Sequence, residues 1–154
     1  MGVDAEVAML RFQPSVDHFH ERTRPADWYE SLMKAYVIDT LYADYYRAVA
    51  RYVDAGTREL IGQIQSAEEA TAVLQERLKA ALADDPRLAS RLALWARRLL
   101  GEALTLAQRV SLEYPLLGGL SGLDDADARE LVDSLTVELA ANHSRRMAGL
   151  GLAG

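Results

Sequence analysis

The sequence predicts an all-α protein, an antiparallel bundle of four long helices preceded by a short N-terminal one. Three observations lead there. Four long segments repeat apolar residues at the helical period. Each is bounded by capping or stop signals. Neither the alternation of a strand nor the period of a solenoid repeat occurs along the chain. Amphipathic helices joined by short loops bury their stripes against one another, and a bundle follows.

Residues 1–25 read as an irregular leader. Asp4 to Phe12 fits a short helix, Pro14 ends it, and Val16 to Pro25 is a connection rich in His and Arg. A single helical-bundle domain spans 26–150. Its first long helix is capped by Asp27 and runs to about Val53, with Trp28, Leu32, Ala35, Tyr36, Asp39, Ala43, Tyr46, Val49 and Val53 as its ladder. Asp54-Ala55-Gly56 stops it. The second begins at Thr57, carries Leu60, Ile61, Ile64, Ala67, Thr71, Leu74, Leu78 and Leu82, and ends at Asp84-Asp85-Pro86. There Asp85 caps and Pro86 opens the third helix. The third is the most apolar, with Leu88, Leu92, Trp95, Leu99, Ala103, Leu106 and Val110 in register, and Pro115 closes it. Leu116 to Leu123 is a glycine-rich loop that matches no phosphate-binding pattern, because no strand precedes it and no Lys-Ser or Lys-Thr follows. Asp124 and Asp125 start the last helix, which carries Ala128, Leu131, Leu135, Leu139 and Met147. Its tail, Gly149-Leu150-Gly151-Leu152, is expected to fray.

A chain of 154 residues with 50% hydrophobic and 26% charged residues suits one globular domain with a real core. It has no cysteine, so disulfides, zinc-thiolate sites, iron-sulfur clusters and thiol nucleophiles are excluded, and the composition fits the cytoplasm. A net charge of −6 provides no general field for phosphates, which argues against nucleic acid as a partner, although Arg145-Arg146 makes a local basic patch. No stretch reaches the length of a membrane span, and the first ten residues lack a signal peptide's basic start and apolar run. A soluble, unexported protein is expected.

Each long helix carries one ionisable residue within its apolar stripe: Asp39, Glu68, Glu102 and His143. Burying a charge is costly, so each needs a partner or a task. If the helices form one bundle, these side chains meet inside it. Carboxylates and imidazoles so placed hold metal in ferritin-like di-iron proteins, and without metal they make an acid/base pocket. Each also has a purely structural explanation. The hydroxyls of Tyr36, Tyr42, Tyr45 and Tyr46 satisfy Asp39; a salt bridge to Arg98 or to an arginine of a neighbouring helix satisfies Glu102; and His143, near Arg145 and Arg146, serves as a hydrogen-bonding core residue. Glu68 points inward with Ile64 and Leu78, leaving Glu69 to solvent.

Several segments together resemble a known family. Asp27-Trp28, Lys34-Ala35-Tyr36-Val37 to Asp39, Ala43-Asp44 and Tyr46-Arg47 are similar to the actinobacterial ferritin-like proteins grouped with tRNA methylthio-isopentenyladenosine hydroxylases. So are Asp85-Pro86-Arg87, Arg91-Leu92-Ala93-Leu94-Trp95, Gly101-Glu102-Ala103-Leu104, Gln108-Arg109-Val110 and His143-Ser144-Arg145-Arg146-Met147. The resemblance implies a ferritin-like fold. It also implies a di-iron site of which this chain retains little, since family members place two helices, one with a Glu-x-x-His motif, before the region seen here. The second half of that site asks for an acid on the helix of Asp39 and an acid-x-x-His on the next, where this sequence reads Ala67-Glu68-Glu69-Ala70. No Glu-x-x-His occurs, and the other histidines, His18 and His20, lie in the leader. The expectation is therefore of no metal and no cofactor, with conventional di-iron oxygen activation disfavoured.

Trp28, Tyr29, Tyr36, Tyr42, Tyr45, Tyr46 and Tyr52 concentrate on one helix. They pack as bulk or line a groove left where two family helices have no counterpart. Three functions remain open. One is a metal-independent protein that binds an apolar small molecule through Trp28, Tyr36, Tyr42, Tyr46 and Trp95, with Asp39, His143 and Glu102 performing a non-oxidative isomerisation or cyclisation in a biosynthetic pathway. Another is a non-catalytic subunit that completes a bundle with a helical partner or as a homodimer. The third is a hydroxylase with an unusual iron site made from the four stripe residues.

Overall fold

The computed structural model of the chain describes residues 4–65, 68–113 and 124–152. Helices and their connections account for them, with no strand among the described residues: α1 (Ala5–Leu10), α2 (Gln13–Arg22), α3 (Trp28–Val49), α4 (Ala55–Gln65), α5 (Glu68–Asp84), α6 (Leu88–Glu113) and α7 (Asp125–Gly149). The all-α reading holds. Pro115 and the glycine-rich stretch 116–123 lie outside the described residues, as do residues 66–67 between α4 and α5, where one continuous helix was expected.

Asp27 and Asp124 open their helices as read, and Asp54, read only as part of a helix stop, caps the next one. Asp27 accepts the Glu30 amide at 2.9 Å, Asp54 the Thr57 amide at 3.0 Å, and Asp124 the amides of Ala126 and Asp127 at 2.9 Å, each satisfying donors that a first turn leaves unpaired. Two end regions differ from expectation. The segment taken as a connection is helical from Gln13 to Arg22, because Pro14 sits in the first turn of α2. A proline there loses no bond, since that amide has no partner within the helix anyway. The tail does not fray either. Gly151 adopts a φ of +77°, its amide donates to Ala148 at 3.0 Å and that of Leu152 to Met147 at 2.9 Å. This Schellman closure folds Leu150 and Leu152 into the core.

α3 is the central helix, packed against α5, α6 and α7, and α2 lies on α6. The core joins Met33, Tyr36, Val37 and Leu41 of α3 to Leu78 of α5, Leu92, Trp95 and Leu99 of α6, and Leu139 and Met147 of α7. The ladders of α6 and α7 thus face inward as expected. α3 does not follow its expected ladder: its buried side chains are Leu32, Met33, Tyr36, Val37, Thr40, Leu41, Asp44, Ala48 and Val49. Trp28, Ala35, Asp39, Tyr42 and Tyr46 lie roughly half a turn away, on the outer face. α3 is apolar nearly all round, so periodicity alone left its rotation undetermined. The aliphatic side chains turned in, and tyrosines whose hydroxyls prefer water turned out. Among the described residues no helix is long and apolar enough to cross a membrane.

Candidate functional site

Of the four ionisable residues read as converging, the three whose side chains are described are dispersed. Asp39 is exposed, and its carboxylate accepts a hydrogen bond from the Thr71 hydroxyl of α5. This corrects the expectation of a buried Asp39, and it follows from the rotation of α3. Glu68 opens α5, and its side chain lies outside the described residues. Glu102 is half-buried on the far side of α6, where Arg22 of α2 donates to both its oxygens at 2.7–2.8 Å. That hydrogen bond is the main cause holding the Glu102 carboxyl below its ordinary value, with the charges of Arg22, Arg98 and His18 adding to it against a smaller effect of burial. An arginine partner was anticipated, but it comes from the segment read as irregular. Of the three described side chains only that of His143 is in the interior, 3% exposed.

A different acid occupies the core beside it. Asp44, whose side chain is 2% exposed, receives Arg146 Nη1 at 2.6 Å and Nη2 at 2.7 Å, and Arg47 Nη1 at 3.0 Å. Burial pushes its carboxyl up, but the hydrogen bonds and charge of Arg146, aided by Asn142 and Arg47, outweigh burial and hold it below the ordinary value. His143 is lowered by burial and further by the charge of Arg146, and its Nε2 has no hydrogen-bond partner. Tyr36 completes the group: burial raises its phenol, while Arg146 acts the other way. Asp44 was legible only as the residue seven and eight positions beyond Val37 and Tyr36, a face the expected ladder did not choose.

The five aromatic residues expected to line one pocket separate into two sets. Trp28, Tyr42 and Tyr46 are 71%, 57% and 46% exposed. The Tyr42 and Tyr46 rings lie 6.4 Å apart, and Tyr45 meets Tyr46 edge-on at 5.9 Å. Tyr36 and Trp95 are in the core, where Trp95 Nε1 donates to the Glu30 carbonyl at 2.9 Å and helps lock α6 to the start of α3. A cleft does exist elsewhere, between α2 and α6, and its walls are polar, including Arg22, Arg98, Glu102 and Arg109.

A ferritin-like interior invites a test for paired iron. Among the described residues no three His, Asp or Glu side chains are grouped closely enough to hold a metal ion. The buried carboxylate of Asp44 is engaged by two guanidinium groups, and the buried imidazole of His143 stands beside one of them. Iron pairs need carboxylates free to bridge and imidazoles to complete coordination, so the described residues do not fit such a centre.

No curated protein matches the chain. The family described as ferritin-like domain, actinomycetes, matches residues 1–124, from the short first helix through the cap of α7. That match agrees with the helical architecture and the α3–α6 core, and the chain therefore belongs to the ferritin-like domain family of actinomycetes.

Proposed function

We propose that this chain is a non-catalytic, metal-independent ferritin-like subunit, related to the tRNA methylthio-isopentenyladenosine hydroxylases and degenerate at their metal ligands, that pairs with a second copy of itself through the outer face of α3. One observation carries this reading: Trp28, Tyr42 and Tyr46, three of the aromatic residues expected inside the protein, form a solvent-facing seam. Trp28, Ala35 and Tyr42 are spaced by sevens, as are Asp39 and Tyr46, which is the spacing by which one helix meets another along a continuous strip. Ala35, central and small, lets two backbones approach, and the tyrosine and tryptophan rings on either side supply area with little entropy to lose. A two-fold pairing of α3 with its copy in antiparallel sense sets the Trp28 end of one seam against the Tyr46 end of the other.

The alternative, acid/base catalysis on an apolar small molecule, asks Asp39, Glu102 and His143 to act on one substrate. They face three different neighbours: Thr71, Arg22 and the Asp44–Arg146 pair. The cysteine-free composition suits the cytoplasm as the place where this subunit works.

Tryptophan fluorescence tests the pairing, because of the two tryptophans Trp95 is buried and Trp28 is not. Iodide quenching of wild-type protein should fall as concentration rises from sub-micromolar to tens of micromolar, as Trp28 becomes covered. Quenching that is unchanged across that range contradicts the reading.

A further inference from the structure

The cleft between α2 and α6 plays no part in that pairing, and its chemistry is unusual for a chain with a net charge of −6. It is open to solvent, measures about 490 Å³, and is walled by His18, Arg22, Arg98, Glu102, Thr105 and Arg109. Small-molecule sites commonly fall within roughly 300–1,000 Å³. Guanidinium groups on an acidic protein ordinarily find carboxylates, but here three share one. Arg22 takes both oxygens of Glu102. Arg98 donates to the Arg22 carbonyl at 2.7 Å and lies 5.8 Å over the Trp95 ring, so it is positioned without a carboxylate of its own. Arg109 makes no ion pair among the described residues.

Three arginines against the one carboxylate of Glu102 leave the walls an excess of two positive charges. The Thr105 hydroxyl is already committed as a donor to the Gly101 carbonyl at 2.8 Å, so the arginines and the His18 ring are the donors left for a ligand.

We infer that this cleft binds a small molecule carrying a phosphate monoester, with the phosphate held by Arg22, Arg98 and Arg109. A phosphate monoester near neutral pH carries about −1.5 to −2 charges, which matches the excess, and its oxygens fit the forked donors of arginine. A lone carboxylate neutralises only half of that excess. A polynucleotide has to approach an acidic chain over a much larger area, at a cost in repulsion.

Calorimetric titration of the full chain with phenyl phosphate, and separately with benzoate, tests the assignment. Phenyl phosphate should bind at one site per chain and about tenfold more tightly than benzoate, because charge-assisted bonds to a dianion are the stronger. Arg109→Gln, at an exposed position, should weaken phenyl phosphate binding about tenfold, while Arg129→Gln on α7 leaves it unchanged. Matching far-ultraviolet circular dichroism of both variants and wild type shows that the fold is kept. Absence of binding up to about 10 mM phenyl phosphate, equal affinity for benzoate, or an equal loss in Arg129→Gln overturns the assignment.

Discussion

Arg146 of α7 grips Asp44 of α3 through two hydrogen bonds, 2.6 and 2.7 Å long, at a point where the carboxylate is almost wholly removed from water. This contact lies on the face of α3 that turns inward with its aliphatic side chains, and the aromatic seam lies on the outer face. Removing one member of a buried pair leaves the other charge uncompensated. Asp44→Ala should therefore destabilise the fold by about 3 kcal/mol, the low end of the range for such breaks, because Arg146 keeps part of its side chain in solvent. The urea midpoint checks this. Replacing both members, as Asp44→Leu with Arg146→Met, should recover most of the loss.

His143 makes stability depend on pH in a stated direction. Burial, and then the charge of Arg146, lowers its folded pKa below the ordinary 6.5, so the unfolded chain takes up the proton first. Stability from the neutral imidazole is complete above 6.5 and is lost as pH falls below it. Asp44 acts in the same sense further down. Its contribution is present above its ordinary 3.8 and is lost as pH falls through the lower folded value. The wild-type urea midpoint should thus decline between about pH 7 and 5, and His143→Leu should flatten that interval while leaving the more acidic decline in place.

Glu102 ties α2 to α6 at the cleft wall. Glu102→Gln removes the charge from that tie and should let α2 open by itself. Amide hydrogen exchange is expected to quicken across Gln13–Arg22 while α3 and α6 keep their protection. Uniform quickening throughout would show that α2 unfolds only with the whole protein.

Much of the architecture was legible because α6 and α7 each present one apolar stripe. Leu88, Leu92, Trp95 and Leu99 could face only one way, as could Leu135, Leu139 and Met147. α3 was different. Its sequence offers one stripe through Met33, Val37, Leu41 and Asp44 and another through Trp28, Asp39, Tyr42 and Tyr46, and helical spacing is blind to which meets the core. The polar contact on the buried face joins residues 102 positions apart, Asp44 and Arg146, and no local pattern reveals such a pair. Pro14 misled for a similar reason: a proline ends one helix and opens another with equal ease, and only the packing of α2 on α6, with Phe19 buried, distinguishes the cases. The Glu102–Arg22 pair was hidden with it.

Pairing through the outer face of α3 fixes the mass of the protein in solution. Sedimentation equilibrium of the wild-type chain at tens of micromolar should give twice the 17.0 kDa chain mass, and the double variant Tyr42→Lys with Tyr46→Lys, altered only at exposed positions, should sediment as the single chain. A wild-type protein that remains at 17.0 kDa, or a variant that still pairs, would contradict it.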